Sequence, residues 1–200
     1  KILFYLHNLI YELIFQNWYL KYLNTTQAEN VITSISVIKE LKLPIKKVIK
    51  VISKLQPLSG RGEKLIINFD SKKKTIIIDD SYNANPASMK AALYNFNNLK
   101  TKYHTLETVL IIGDMLELVK SSTKIHLELI PILKIINPSL LLTVGKYTKK
   151  LNDKLNLKVD CYSYFDINQL IKEIKQYIRP NQLVLLKGSN GTGLWKLVPI

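Results

Sequence analysis

Thr75-Ile76-Ile77-Ile78-Asp79-Asp80-Ser81-Tyr82-Asn83-Ala84-Asn85-Pro86 is the stretch that decides the fold. The run Thr75–Ile78 is β-branched and apolar without alternation, as in a strand covered on both faces. Asn85 and Pro86 make a helix start, the asparagine as cap and the proline in the first turn, where its missing N–H costs nothing. Strand, polar loop and helix within twelve residues are the opening of a βα unit.

Outward from it the same order recurs. The pattern predicts strands at Thr108–Ile112, Leu140–Val144, Lys158–Tyr162 and Leu183–Leu186, with helices from about Ser122, after Gly145, and from Asp166 to Ile178. Such alternation predicts an α/β fold with a doubly wound, mainly parallel sheet. Upstream, Pro57, Ser59, Gly60 and Gly62 break all periodicity and set a domain boundary, dividing residues 1–60 from 61–200. Before it, Tyr11–Phe15 and Trp18–Leu23 flank Gln16-Asn17 like a hairpin, and a helical pattern covers Ala28–Leu41. A second helix follows Pro44, with Ile45, Val48, Ile49, Ile52 and Leu55 on one face. No internal repeat or low-complexity linker interrupts the chain.

A hydrophobic content of 47% over 200 residues is enough for one full domain and part of another. The formal charge of +14 would suit a nucleic acid or an anionic membrane. Yet Arg61 and Arg179 are the only arginines, and the excess is lysine in a chain rich in Ile and Asn. This reads as a compositional bias on solvated faces or as attraction to an anionic small-molecule substrate, without the bidentate groups that read bases. Duplex DNA should therefore bind weakly, without sequence preference, and be released by moderate salt. Gel-shift titration across salt concentrations checks this, and tight binding at physiological salt would overturn it. Cys161 is the single cysteine, which excludes an internal disulfide and implies a reducing, cytoplasmic setting. His7, Asn8, Glu12, Gln16, Asn17 and Lys21 interrupt the apolar segment from Ile2 to Leu23 too often for a membrane span or signal sequence. The first residue, Lys1, leads us to expect further chain upstream.

In a doubly wound sheet, ligands bind beyond the carboxyl ends of the strands. There the sequence places Asp79–Pro86, Gly113-Asp114-Met115-Leu116-Glu117, Gly145-Lys146 and Lys187-Gly188-Ser189-Asn190-Gly191-Thr192-Gly193. Each has a structural alternative. Asn85 serves equally as a helix cap, Asp79 or Asp80 as a turn cap, and Gly113-Asp114 as an ordinary turn. The Gly188–Gly193 loop has the glycines of a phosphate cradle but not the Gly-Lys-Ser/Thr ending of a Walker A loop. His126 reads as a packed helix residue, and His7, His104 and His126 have no metal-site spacing.

Read together, these motifs resemble one family. Asp79 to Met89 (DDSYNANPASM) is similar to a signature of the Mur ligases, in the branch that handles D-alanyl-D-alanine. Gly60-Arg61-Gly62-Glu63 resembles that family's junction between central and carboxy-terminal domains. Gly113 to Leu118 and Lys187-Gly188-Ser189 fall in the matching order. The resemblance runs from about Ala28 to Pro199. It implies a Rossmann-like carboxy-terminal domain at 61–200, preceded at 1–60 by the tail of an ATP-binding domain. It further implies an ATP- and Mg2+-dependent amide ligase of peptidoglycan precursor synthesis. Such an enzyme adds D-alanyl-D-alanine to UDP-N-acetylmuramoyl-tripeptide through an acyl phosphate, as a cytoplasmic monomer. By the same resemblance Asn30, Arg61 and Asp80 would bind nucleotide, and Asn83, Asn85, Asp114, Glu117, Lys187 and Ser189 would bind substrate.

Thr26 stands where the family has a histidine, and Val119 where it has a glycine. No Gly-x-x-x-x-Gly-Lys-Ser/Thr occurs in the 200 residues, so ATP phosphates and magnesium would be held mainly by an upstream part. A folate-polyglutamating ligase is the rival within the superfamily, and the wording of Asp79–Met89 disfavours it. The rival of another class is a non-catalytic remnant or binding domain.

Overall fold

The computed structural model describes residues 25–44, 47, 57–71, 73–118 and 121–198. The expected hairpin at 11–23, the apolar positions Ile45 to Leu55 of the second helix, and Val119 lie outside them. The chain divides into two compact units, Lys1–Pro57 and Leu58–Ile200. In the first, helix α1 (Thr25–Glu40) buries Val31 and Ile35, four residues apart and so on one face.

The second unit is built on six strands: β1 (Glu63–Asn68), β2 (Lys74–Asp80), β3 (Glu107–Gly113), β4 (Leu140–Val144), β5 (Asp160–Tyr164) and β6 (Gln182–Lys187). Their order across the sheet is β1-β2-β6-β3-β4-β5. Every neighbouring pair is parallel except β1 with β2, so the expected mainly parallel α/β sheet is what forms. The helices are α2 (Pro86–Lys102), α3 (Ser122–Leu127), α4 (Ile130–Ile136), α5 (Lys146–Leu155) and α6 (Ile167–Tyr177).

Two cores result from the strand period of two. Ile76, Leu110, Ile112, Leu183 and Leu185 face Met89, Leu93 and Phe96 of α2 and Leu133 of α4. Their strand neighbours Ile77, Val109, Ile111, Val184 and Leu186 face Ile167, Leu170 and Ile174 of α6. Helices on both faces make the sheet doubly wound. Its central strands bury every residue or nearly so, which is why they read as uninterrupted apolar runs.

Three details depart from the sequence reading. Strand β1 went unread: it is an antiparallel edge strand whose residues alternate between half-buried and exposed, with Ile66 51% exposed. Strand β5 starts at Asp160 and not Lys158; it is the opposite edge, with the same half-exposed alternation. The helix from Ser122 breaks into α3 and α4, because Pro131 in the first turn of α4 cannot donate to a preceding carbonyl. Among the described residues no helix is long and apolar enough to cross a membrane.

Candidate functional site at the carboxyl edge of the sheet

Strand β2 delivers two adjacent carboxylates, and the pleat sends them to opposite sides. Asp79 is 1% exposed, and its Oδ1 accepts from the amide (3.1 Å) and hydroxyl (2.6 Å) of Ser81. It shapes the turn. Asp80 keeps 22% of its side chain exposed and pairs with Lys187 across the parallel ladder, Nζ to Oδ2 3.0 Å. Lys187 is 2% exposed and also donates to the Asn83 carbonyl at 2.6 Å. Burial pushes the Asp80 carboxyl above its ordinary pKa. The charge and hydrogen bond of Lys187 oppose that rise, Asp79 adds to it, and Arg61 opposes it.

Arg61 reaches this carboxylate from the Gly60-Arg61-Gly62 turn. The Tyr82 amide donates to the Gly60 carbonyl at 2.9 Å, and the Gly62 amide to the Asp79 carbonyl at 2.7 Å. Gly60 has φ +72°, and a Cβ there would come within 3.0 Å of Tyr82 Cβ, so the turn requires glycine. The exposed Arg61 guanidinium lies over the Tyr82 ring, 4.2 Å from its centroid. A solvent-facing cation thus stands beside a partly exposed anion.

The other expected residues divide into exposed and structural ones. Asn83 and Glu117 are exposed at the same edge. Asn85 caps α2: its Oδ1 accepts from the Ser88 amide at 2.8 Å, while Ser88 Oγ accepts from the Asn85 amide at 3.0 Å. Ser189 is 3% exposed and ties three loops together. Its hydroxyl accepts from the Leu116 amide (3.0 Å) and donates to the Ala84 carbonyl (3.4 Å), and its amide donates to the Asp114 carbonyl (3.1 Å). Lys187 and Ser189, both expected at the substrate side, are buried and hold the loops of this edge together.

Asp114 is placed differently from Asn83 and Glu117. It was expected to face the cleft, but it is 3% exposed and turned toward α5. Its Oδ1 accepts from the Thr148 amide (2.7 Å) and hydroxyl (2.9 Å), and both its oxygens lie 3.1 Å from the Tyr147 amide. The residue before α5 is Gly145, which has no side chain to cap with. Asp114 supplies the missing cap from another strand, next to the positive end of the helix dipole. In the Gly188–Gly193 loop the Thr192 amide and hydroxyl both turn inward to the Ser189 carbonyl at 2.9 and 2.6 Å.

Asn30 lies exposed on α1, in the other unit. The donor set at the edge fits a nucleotide: a carboxylate for a sugar hydroxyl and a guanidinium for a phosphate. Among the described residues no three His, Cys, Asp or Glu cluster.

A mainly parallel, doubly wound sheet with this polar edge matches the Mur ligase, glutamate ligase domain family over residues 60–190, and the chain belongs to that family. Within it, the chain is 37% identical over 139 residues to the UDP-N-acetylmuramoyl-tripeptide–D-alanyl-D-alanine ligase of Rickettsia prowazekii (strain Madrid E). That alignment covers 70% of this chain and 29% of the relative. MurF from Acinetobacter baumannii shares the fold with a TM-score of 0.70 at 22% identity, covering 88% of this chain and 37% of that one. MurF from Thermotoga maritima, solved in complex with ADP, gives 0.67 at 19% identity, covering 89% and 38%. The chain therefore spans between 29% and 38% of the length of these proteins.

Proposed function

We propose that this chain supplies the carboxy-terminal part of an ATP-dependent ligase that adds D-alanyl-D-alanine to UDP-N-acetylmuramoyl-tripeptide in peptidoglycan precursor synthesis. The observation that carries this reading is the pair Asp80–Lys187, held at 3.0 Å with its carboxylate partly open to solvent beside Arg61. In this reading residues 1–60 are the tail of the ATP-binding domain and 61–200 the carboxy-terminal domain. Asp80 takes the ribose and Arg61 reaches the nucleotide, while Asn83 and Glu117 face the dipeptide. Lys187, Ser189, Asn85 and Asp114 keep those groups in place. ATP phosphorylates the tripeptide carboxylate, and the dipeptide amine attacks the acyl phosphate that results. Magnesium supplies charge neutralisation of the phosphates when bound, through ligands outside this chain. The enzyme works as a monomer in the cytoplasm.

A chimera tests the reading. Joined to the amino-terminal part of the Rickettsia prowazekii relative, this chain should yield a ligase that incorporates D-alanyl-D-alanine and not single amino acids. A soluble chimera that binds ATP but forms no product would overturn it. The 200-residue chain alone should give no ligation, because no Walker A loop is present to hold the phosphates. A coupled assay for phosphate release with tripeptide, dipeptide and ATP checks this, and turnover above background would refute it.

A further inference from the structure

His126, a residue of α3, is 0% exposed. Its ring meets two backbone groups of opposite kind. The Met115 amide can only donate, and it points at Nε2 from 2.9 Å; the Ser122 carbonyl can only accept, and it lies 2.6 Å from Nδ1. Nε2 therefore carries the lone pair and Nδ1 the proton, which is one tautomer of the neutral ring. The Asp114 carboxylate lies 3.9 Å from Nε2, beyond hydrogen-bond reach, and Tyr147 stacks on the ring with centroids 5.3 Å apart.

The next amide in the chain is fixed as well. Leu116 N–H donates to Ser189 Oγ at 3.0 Å. Two successive amides of one turn are thus pinned by side chains from two different elements, α3 and the loop after β6. The residue that follows is Glu117, exposed at the polar edge. With Met115 0% exposed in the core beneath, the turn has no freedom to slide. We infer that His126 is the positioning residue of the Met115–Leu118 turn, acting through its Nε2 lone pair to hold Glu117 against the D-alanyl-D-alanine amine. The second half of this inference rests on the proposed ligase reading; the first half does not.

Two near-isosteric variants separate the ring's two hydrogen bonds. Glutamine can place an oxygen where Nε2 was and keep the acceptor for Met115. Asparagine can place its amide nitrogen where Nδ1 was and keep only the donor to Ser122. In the 15N-labelled 200-residue chain, the His126 nitrogens should show the neutral tautomer protonated at Nδ1. Amide exchange at Met115 and Leu116 should accelerate at least tenfold in His126→Asn relative to His126→Gln, while the β3 and β6 amides stay equally protected in both. A ring protonated at Nε2, or equal exchange in the two variants, would overturn the positioning role. Titration with D-alanyl-D-alanine is the second arm. Glu117 should shift in the parent and in His126→Gln, with at least tenfold weaker affinity in His126→Asn. Absence of any shift in the parent counts against the ligase reading alone, whereas equal affinity in all three chains counts against the link from His126 to Glu117.

Discussion

Asp114→Ala should destabilise the 200-residue chain by about 1–3 kcal/mol for each buried donor it leaves unsatisfied. The amides of Tyr147 and Thr148 lose their acceptor at once, while the Thr148 hydroxyl keeps only the Gly145 carbonyl at 3.3 Å. Thr148 is 0% exposed, so its amide cannot turn to water instead. The start of α5 then has neither a cap nor a negative charge near its dipole. A domain of this size should melt on the order of 10 °C lower. Asp114→Asn, which keeps an oxygen acceptor, should lose less. Gly145→Ala attacks the same joint from the other side: φ is +118°, and the new Cβ would lie 2.4–2.7 Å from the carboxylate. Thermal unfolding followed by circular dichroism decides the matter. A melting temperature for Asp114→Ala within about 2 °C of the parent would mean that the carboxylate is not the cap.

Why Asp80 and Asp114 look alike in the sequence and behave so differently is a matter of what lies far away in the chain. Each is an aspartate just beyond an apolar strand. For Asp80 the decisive neighbour is Lys187, which the parallel ladder brings alongside. For Asp114 it is the start of α5, where Gly145 leaves a helix uncapped. Local patterning contains neither fact. It does contain the central strands, because a strand covered on both faces must be apolar throughout, and the Asn85-Pro86 start, because a cap is completed within four residues by Ser88. Edge strands β1 and β5 are half-exposed, so their sequences carry half the signal. His126 illustrates the same limit: a helical histidine among Ile125 and Leu127 reads as packing, and only the fold shows that its lone pair is used by Met115.

Asp80→Asn in the chimera should cost roughly ten- to a hundredfold in kcat/KM for ATP, the scale of losing a hydrogen bond from a charged group, about 1.5–3 kcal/mol. Its effect on stability is the balance of two opposing changes. The folded-state pKa of Asp80 lies above 3.8 because burial outweighs the help of Lys187 and Arg61. A carboxyl with a raised folded pKa favours folding while it is protonated, below its unfolded pKa. That contribution is lost as pH climbs through the folded pKa, and at neutral pH the charged form is a burden on the fold. Asparagine removes the charge at constant size. That substitution also leaves buried Lys187 without its counter-charge, a change of the opposite sign, so the melting temperature of Asp80→Asn at pH 7 should stay near that of the parent. A structural aspartate would do the reverse, losing stability while leaving ATP kinetics intact. Measuring both on one chimera separates the two: a lower melting temperature with unchanged kcat/KM for ATP would remove Asp80 from the nucleotide site. Activity lost with stability little changed would mark a carboxylate whose charge the nucleotide needs more than the fold does.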